Sequence, residues 1–222
     1  MFLRVFETPA DAATDAADLL ARRVRRAVRD RGRASIAVSG GRGPEAMFVA
    51  LAARSMPWER LHVFQVDERV APAGSPDRNA RLLDVLPLPT GNVHLMPVEQ
   101  ADLESAGFAY ARLLPERFDV VHLGIGDDGH TASWAPGDPV IDEQRAVGVT
   151  GTFNGFVRMT LTPGVVNAAR SRIVLVDGAT KAPAVRRWLL DDPTVPVQRL
   201  RRQATTVVLD DAAASELTVD RQ

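Results

Sequence analysis

The spacing of apolar residues along the chain predicts alternating strands and helices. Short runs rich in β-branched and other apolar residues end at glycine or charged residues, which is typical of buried strands. The runs predicted as strands are 34–38, 61–66, 92–96, 118–124, 157–161, 173–176 and 205–209. Between them, apolar residues recur at three- and four-residue spacing, and the predicted helices are 9–31, 44–54, 77–85, 103–114, 163–170, 181–190 and 210–217.

Strands that alternate with helices of this length indicate βαβ units. We therefore predict an α/β fold: a single-domain, Rossmann-like, mostly parallel sheet with helices on both faces, spanning residues 1–222. The segment 135–157 contains several Gly and Pro residues and little periodicity, so we expect irregular structure or short strands there.

Composition narrows the class of protein. Hydrophobic residues make up 45% of the chain and charged residues 25%, and the formal net charge is −1, so neither a nucleic-acid nor a membrane partner is expected. The absence of cysteine excludes disulfides, thiolate catalysis and cysteine-based metal sites. No apolar stretch approaches the roughly 20 residues of a membrane span, and no signal-peptide core is evident. We expect a cytoplasmic monomer or weak homo-oligomer.

Polar clusters follow three of the predicted strands. They are Ser39-Gly40-Gly41-Arg42, Asp67-Glu68-Arg69 and Asp127-Asp128-Gly129-His130. The carboxyl ends of parallel strands meet at one edge of a sheet, where open α/β sheets bind ligands. The three clusters are therefore expected to converge on one pocket.

The third cluster carries a candidate general base. A histidine can titrate near neutral pH, and a carboxylate two residues earlier can orient it, as Asp128 would orient His130. The alternative is a polar turn whose histidine caps the next helix. The other histidines, His62, His94 and His122, fall in predicted strands and are expected to pack or to face solvent. No histidine pair has a metal-ligand spacing, so no metal is expected.

The first cluster is suited to an anion. Ser39-Gly40-Gly41 presents backbone N–H groups ahead of a helix N-terminus, where the dipole favours a phosphate, and Arg42 can add a charged hydrogen bond. The alternative is a tight turn that uses glycine for its backbone freedom. Residues 41–46 and 124–129 match the dinucleotide fingerprint, but Pro44 removes a donor and Asp127-Asp128 would repel a pyrophosphate. No nicotinamide or flavin cofactor is expected.

Taken together, these motifs resemble the 6-phosphogluconolactonase family, in the wider group that includes glucosamine-6-phosphate deaminases. The similar segments run in order along the chain: S-G-G-x-x-P at 39–44, D-E-R at 67–69 followed by Ser75-Pro76-Asp77-Arg78-Asn79, L-G-x-G-x-D-G-H-T-A-S at 123–133, R-x-T-L-T…N-A-A at 158–169 and G-x-x-K at 178–181. Residues 131–136 differ from the I-A-F-N-E-P usual in the deaminases, which favours the lactonase branch.

The resemblance implies a phosphosugar isomerase/deaminase-like fold and hydrolysis of 6-phospho-D-glucono-1,5-lactone in the oxidative pentose phosphate pathway, without a metal cofactor. His130, oriented by Asp128, is the expected base. The residues expected to bind substrate or phosphate are Ser39, Gly40, Gly41, Arg42, Asp67, Glu68, Arg69 and Arg158. The alternatives are another sugar-phosphate isomerase or deaminase, and a non-catalytic sugar-phosphate binder.

The chain departs from the family in one segment that bears on phosphate binding. Lactonases often carry S-P-K-P-P before the R-x-T-L-T segment, whereas residues 151–156 read G-T-F-N-G-F and contain no lysine. Either an arginine supplies the phosphate contact, the candidates being Arg42, Arg69, Arg78 and Arg158, or the substrate differs from the usual one.

Overall fold

Ten strands and five α-helices alternate in the computed structural model, which describes residues 1–217 apart from the side chain of Arg42. The strands are β1 (Phe2–Phe6), β2 (Ala34–Val38), β3 (Leu61–Gln65), β4 (Asp67–Arg69), β5 (Val93–His94), β6 (Val120–Leu123), β7 (Val147–Val149), β8 (Arg158–Leu161), β9 (Arg172–Val176) and β10 (Thr205–Asp210). The helices are α1 (Pro9–Arg31), α2 (Arg42–Ala52), α3 (Leu103–Ala111), α4 (Pro163–Ala168) and α5 (Ala182–Leu189).

Seven strands form one sheet in the order β1-β10-β9-β6-β2-β3-β5, and every neighbouring pair is parallel. Alternate residues of each strand enter different cores, as the pleat requires. In β2, Ile36 and Val38 belong to the core cluster that includes residues of α1 and α2, whereas Ala37 belongs to a second cluster that includes Tyr110 of α3 and Trp188 of α5. The predicted α/β fold with helices on both faces is confirmed.

The ends of α1 follow from local sequence. The Thr8 hydroxyl accepts a hydrogen bond from the Asp11 N–H (3.1 Å), and Pro9 occupies the first turn, where its missing N–H is harmless. At the other end Gly32 adopts a left-handed conformation (φ 78°), and its N–H donates to the Val28 carbonyl (2.8 Å). An alanine-rich face between these caps is buried against the sheet and α2.

A second, antiparallel sheet lies beyond the end of β3, in the order β4-β8-β7. Val66 joins the two sheets: its N–H donates to Val38 (2.9 Å), and its carbonyl accepts from Leu161 (2.7 Å). Asp67-Glu68-Arg69 is therefore a strand of its own and not the solvated exit of β3. This small sheet brings the 67–69 and 158–161 motifs side by side.

Several boundaries differ from the sequence-based expectation. β1 was not predicted; it is an exposed edge strand held by β10. The segment 77–85 forms a 3₁₀ helix at Asn79–Val85 in place of an α-helix, and 211–217 forms turns. None of the helices within residues 1–217 combines the length and apolar character that crossing a membrane requires.

His122 of β6 packs in the core and does not face solvent, which were the two placements expected for it. Its side chain is fully buried, its ring meets that of Phe48 at 6.2 Å, and neither ring nitrogen has a hydrogen-bond partner among the described residues. Burial lowers the pKa of His122 to about 3. The imidazole is therefore neutral in the folded protein across the physiological range.

We expect the folded protein to lose stability through His122 as the pH falls from about 6.5 towards 3. In this range the unfolded chain binds a proton at this residue and the folded chain does not, so stability declines by about 1 kcal/mol per pH unit. His122→Leu removes this dependence. Urea unfolding of both proteins at pH 7, 6 and 5 measures it, and parallel pH profiles would contradict the assignment.

Candidate active site

The structure brings the three polar clusters to one cleft of about 570 Å³ at the carboxyl ends of the central strands. The sequence-predicted site residues that line it are Ser39, Gly40, Gly41, Asp67, Arg69, His130 and Arg158. β2, β3 and β6 are neighbours in the sheet, so the segments that follow them meet above the same edge. Of the remaining predicted residues, Asp128 contacts His130 directly.

The Asp128–His130 pair has the geometry of an oriented imidazole. Asp128 Oδ1 accepts from the His130 backbone N–H (3.0 Å) and lies 2.6 Å from His130 Nδ1. Partial burial raises the pKa of Asp128, but the two hydrogen bonds and the imidazole charge outweigh it and bring the pKa to about 2. An ionised carboxylate on Nδ1 selects the tautomer that leaves Nε2 to accept a proton.

A glycine turn makes room for the His130 ring. A Cβ atom on Gly126 would lie 2.0 Å from two atoms of that ring, so no side chain fits at this position. The Gly126 N–H donates to the His130 carbonyl (2.8 Å), which closes the turn. Gly129 has a φ of 85°, which glycine adopts without strain. The glycines of this motif therefore serve the placement of the histidine.

The Ser39-Gly40-Gly41 turn leads from β2 into α2. The Ser39 side chain is buried, and its hydroxyl has no hydrogen-bond partner among the described residues. A Cβ on Gly40 would lie 2.1 Å from Asn79 Oδ1, so the backbone approaches Asn79 closely. Arg42 is the first residue of α2; the role predicted for its side chain lies outside the described part of the structure.

Asp67 is a buried carboxyl at the cleft wall. The Ser133 hydroxyl donates to Asp67 Oδ2 (2.7 Å), and this hydrogen bond orients the carboxyl. Burial raises the pKa of Asp67, and the Ser133 hydrogen bond and the charge of Arg158 only partly oppose it. The protonated form is thus favoured more than for an exposed aspartate.

Glu68, which the sequence predicts to bind substrate, lies away from the cleft. Its side chain is fully buried and does not line the cleft, because alternate residues of β4 face opposite ways. Both of its oxygens are instead occupied by protein donors. These are Gln65 Nε2 (2.7 Å) and the backbone N–H groups of Arg69, Asn79 and Ala80 (2.8 Å each). Arg78 forms an ion pair with Glu68, with 3.2 Å between Nε and Oε2.

The candidate arginines separate by position. Arg78 is buried between Glu68 and Glu99 and lies outside the cleft. Arg69 lines the cleft, with Nη1 donating to the Asp77 carbonyl (2.6 Å) and to Asn79 Oδ1 (3.1 Å). Arg158 also lines it, is 5% exposed, and its Nε has no hydrogen-bond partner within the described residues.

Lys181 is a cleft residue that was not among the predicted site residues. It is the chain's only lysine, follows β9, lines the cleft and forms an ion pair with Asp127. The hydrogen bond from Lys181 lowers the pKa of Asp127. The G-x-x-K resemblance at 178–181 was the signal that pointed to it.

Comparison with known proteins places the chain in a family. The family model described as glucosamine-6-phosphate isomerases/6-phosphogluconolactonase matches residues 7–209. The 6-phosphogluconolactonase of Synechocystis sp. is 35% identical over 212 residues, which cover 87% of this chain and 88% of that protein. That of Streptomyces coelicolor is 36% identical over 217 residues, covering 84% and 83%.

Solved structures agree with the sequence comparison. The crystal structure of a 6-phosphogluconolactonase from Shewanella baltica superposes with a TM-score of 0.86 at 27% identity, covering 95% of this chain and 97% of that one. A monomeric glucosamine-6-phosphate deaminase, 18% identical, shares the fold with a TM-score of 0.83. The chain therefore belongs to the glucosamine-6-phosphate isomerase/6-phosphogluconolactonase family.

Proposed function

We propose that this chain is a 6-phosphogluconolactonase, one domain over residues 1–222 that hydrolyses 6-phospho-D-glucono-1,5-lactone to 6-phospho-D-gluconate. The observation that carries the proposal is the Asp128-oriented His130 in a cleft that also holds the Ser39–Gly41 turn and Arg158. Relatives above 30% identity that carry this name support the choice of substrate.

In the proposed mechanism a water oxygen bonds to the lactone carbonyl carbon, C1, while His130 Nε2 removes a proton from that water molecule. The C1–O5 bond then breaks, and the imidazolium returns the proton to O5, which opens the ring. Asp128, ionised beside Nδ1, stabilises the intermediate imidazolium. General acid–base assistance of this kind contributes roughly 10²–10⁴-fold, enough for an activated ester.

The Ser39–Gly41 turn and Arg158 are the proposed phosphate site, with Lys181 as a further cation at the cleft. The Ser39 hydroxyl and Arg158 Nε have no hydrogen-bond partner among the described residues, and both side chains are buried. Buried polar atoms without a partner are unfavourable, and phosphate oxygens would satisfy both. An anion bound here would also gain from the dipole of α2.

Arg158→Met is expected to raise KM roughly tenfold to a hundredfold, because charge-assisted hydrogen bonds contribute about 1.5–3 kcal/mol. The change in kcat should be smaller, since the phosphate remains distant from the reacting carbon. Steady-state kinetics against Arg170→Met provides the comparison, because Arg170 is half-exposed and paired with Asp119. Equal KM values for the two variants would remove Arg158 from the phosphate site.

The proposal is tested by generating the lactone in situ and following its decay against the spontaneous rate. Acceleration by the wild-type protein supports lactonase activity. A folded protein without acceleration contradicts it. In that case ammonia release from glucosamine 6-phosphate would indicate a deaminase, and stabilisation by sugar phosphates without turnover would indicate a binder.

A further inference from the structure

The segment that lacks the family's lysine forms a tight hairpin. Phe153 and Phe156 exchange backbone hydrogen bonds (2.8 and 3.2 Å), and Asn154 and Gly155 between them have φ values of 49° and 81°. Two central residues at positive φ form a type I′ turn, for which Asn-Gly is the preferred sequence. The hairpin lies between β7 and β8, so it holds Phe153 in a defined place.

The Phe153 ring contacts two residues of the cleft. The guanidinium carbon of Arg158 lies over the ring, 4.9 Å from its centroid, which is a cation–π geometry. The His130 ring meets the same ring at 5.0 Å and an interplanar angle of 76°, an edge-to-face arrangement. One aromatic side chain thus bridges the proposed base and the proposed phosphate ligand.

Arg158 needs such a contact. Its side chain is buried, its Nε has no partner in the described part of the chain, and Arg69 is its cross-strand neighbour in the β4–β8 register. Burial lowers the pKa of Arg158, as does the charge of Arg69, while Asp67 opposes them. The aromatic face stabilises the cation without using its N–H donors, which a carboxylate partner would occupy.

We propose that Phe153 is a positioning residue that holds the Arg158 guanidinium and the His130 imidazole in fixed relation to each other. It rests on the proposed function, because the two groups must bind the phosphate and reach the lactone carbon of one substrate at the same time. In this chain an apolar ring that orients an arginine takes the place of the lysine that relatives often carry in this segment.

The test compares Phe153→Leu with Phe153→Tyr. Leucine keeps an apolar side chain but has no aromatic face, so we expect KM for the lactone and the inhibition constant of inorganic phosphate to rise roughly 2- to 30-fold. Loss of the contact to His130 should lower kcat roughly 2- to 10-fold. Tyrosine keeps the aromatic face and should restore most of both.

Phe156→Leu is the matched control. It makes the same chemical change at the other end of the same turn, and the ring that contacts His130 and Arg158 is that of Phe153. We expect kinetics close to those of the wild type. Proton NMR of the His130 imidazole adds a readout that stability alone does not move: its ring-current shift should disappear in Phe153→Leu and persist in Phe153→Tyr.

Unchanged kinetics and an unchanged His130 resonance in Phe153→Leu would overturn the proposal. So would equal losses in Phe153→Leu and Phe156→Leu, because these would indicate a general loosening of the hairpin. A wild-type protein without lactonase activity would instead refute the proposed function. Inorganic phosphate titration and the His130 resonance would then still test the role of Phe153.

Discussion

His130→Ala is expected to lower kcat for lactone hydrolysis roughly 10²–10⁴-fold and to leave the fold intact. The ring is the proposed acceptor of the water proton, and a methyl group cannot replace it. The side chain lies at the cleft and is 25% exposed, so its loss should cost less stability than the loss of a fully buried core residue. Lactone decay corrected for the spontaneous rate, together with the melting temperature, measures both parts of the expectation.

His62→Ala is the matched control for this experiment. His62 lies outside the cleft, with Nδ1 3.2 Å from Nε2 of His94. Its removal should leave kcat unchanged. A near-normal kcat in His130→Ala would show that His130 is not the general base. That result would leave the lactonase activity of the wild-type protein standing.

Glu68→Gln is expected to destabilise the protein by about 3–5 kcal/mol, because it breaks a buried ion pair and leaves the Arg78 charge poorly compensated. The amide group also turns a donor towards N–H groups that need an acceptor, among them those of Asn79 and Ala80. For a chain of this size the melting temperature should fall by roughly 6–20 °C. Urea unfolding at neutral pH gives the free energy directly.

Glu99→Gln separates the two partners of Arg78. Glu99 is 47% exposed, so solvent screens its ion pair with Arg78, which should contribute no more than about 1 kcal/mol. If Glu68→Gln were as stable as Glu99→Gln and had a raised KM, the structural role of Glu68 would be disproved. That result would return Glu68 to the substrate-binding residues.

The main sheet could be predicted because its information is local. In β2 the consecutive residues Ile36, Ala37 and Val38 are all apolar. A run without polar alternation indicates a strand buried on both faces, and therefore a parallel sheet between helix layers. The order of strands and helices then places the segments after β2, β3 and β6 at one edge. The convergence of Ser39–Gly41, Asp67 and His130 follows from that arrangement.

The second sheet and the role of Glu68 could not be predicted, because both depend on residues distant in the sequence. The charges of Asp67-Glu68-Arg69 give no sign of a strand, yet β4 pairs with β8, and Asp67 and Glu68 are buried. Whether a buried charge is tolerated depends on its partners, and three of those of Glu68 (Arg78, Asn79 and Ala80) lie about ten residues away along the chain. The pattern of hydrophobic and polar positions does not predict such a network.

The position of the Phe153 ring could not be predicted from the sequence either. The sequence motifs show that residues 151–156 differ from the S-P-K-P-P of the family that the chain resembles, and Asn154-Gly155 is a recognisable turn sequence. The direction of the Phe153 ring, between Arg158 and His130, depends on where the hairpin lies relative to β8 and the glycine turn. Only the three-dimensional arrangement shows that this aromatic residue contacts two residues of the cleft.

The pairing of β1 with β10 bears on how the chain folds during synthesis. Phe2 pairs with Thr206 and Phe6 with Asp210, so β1 is synthesised long before the strand with which it pairs. Contacts of such sequence separation form slowly, and an unpaired strand edge is prone to aggregation meanwhile. Phe2 and Leu3 remain exposed even in the finished edge strand. The main sheet therefore cannot be completed until β10 has been synthesised, and its edge at β9 has no partner strand before then.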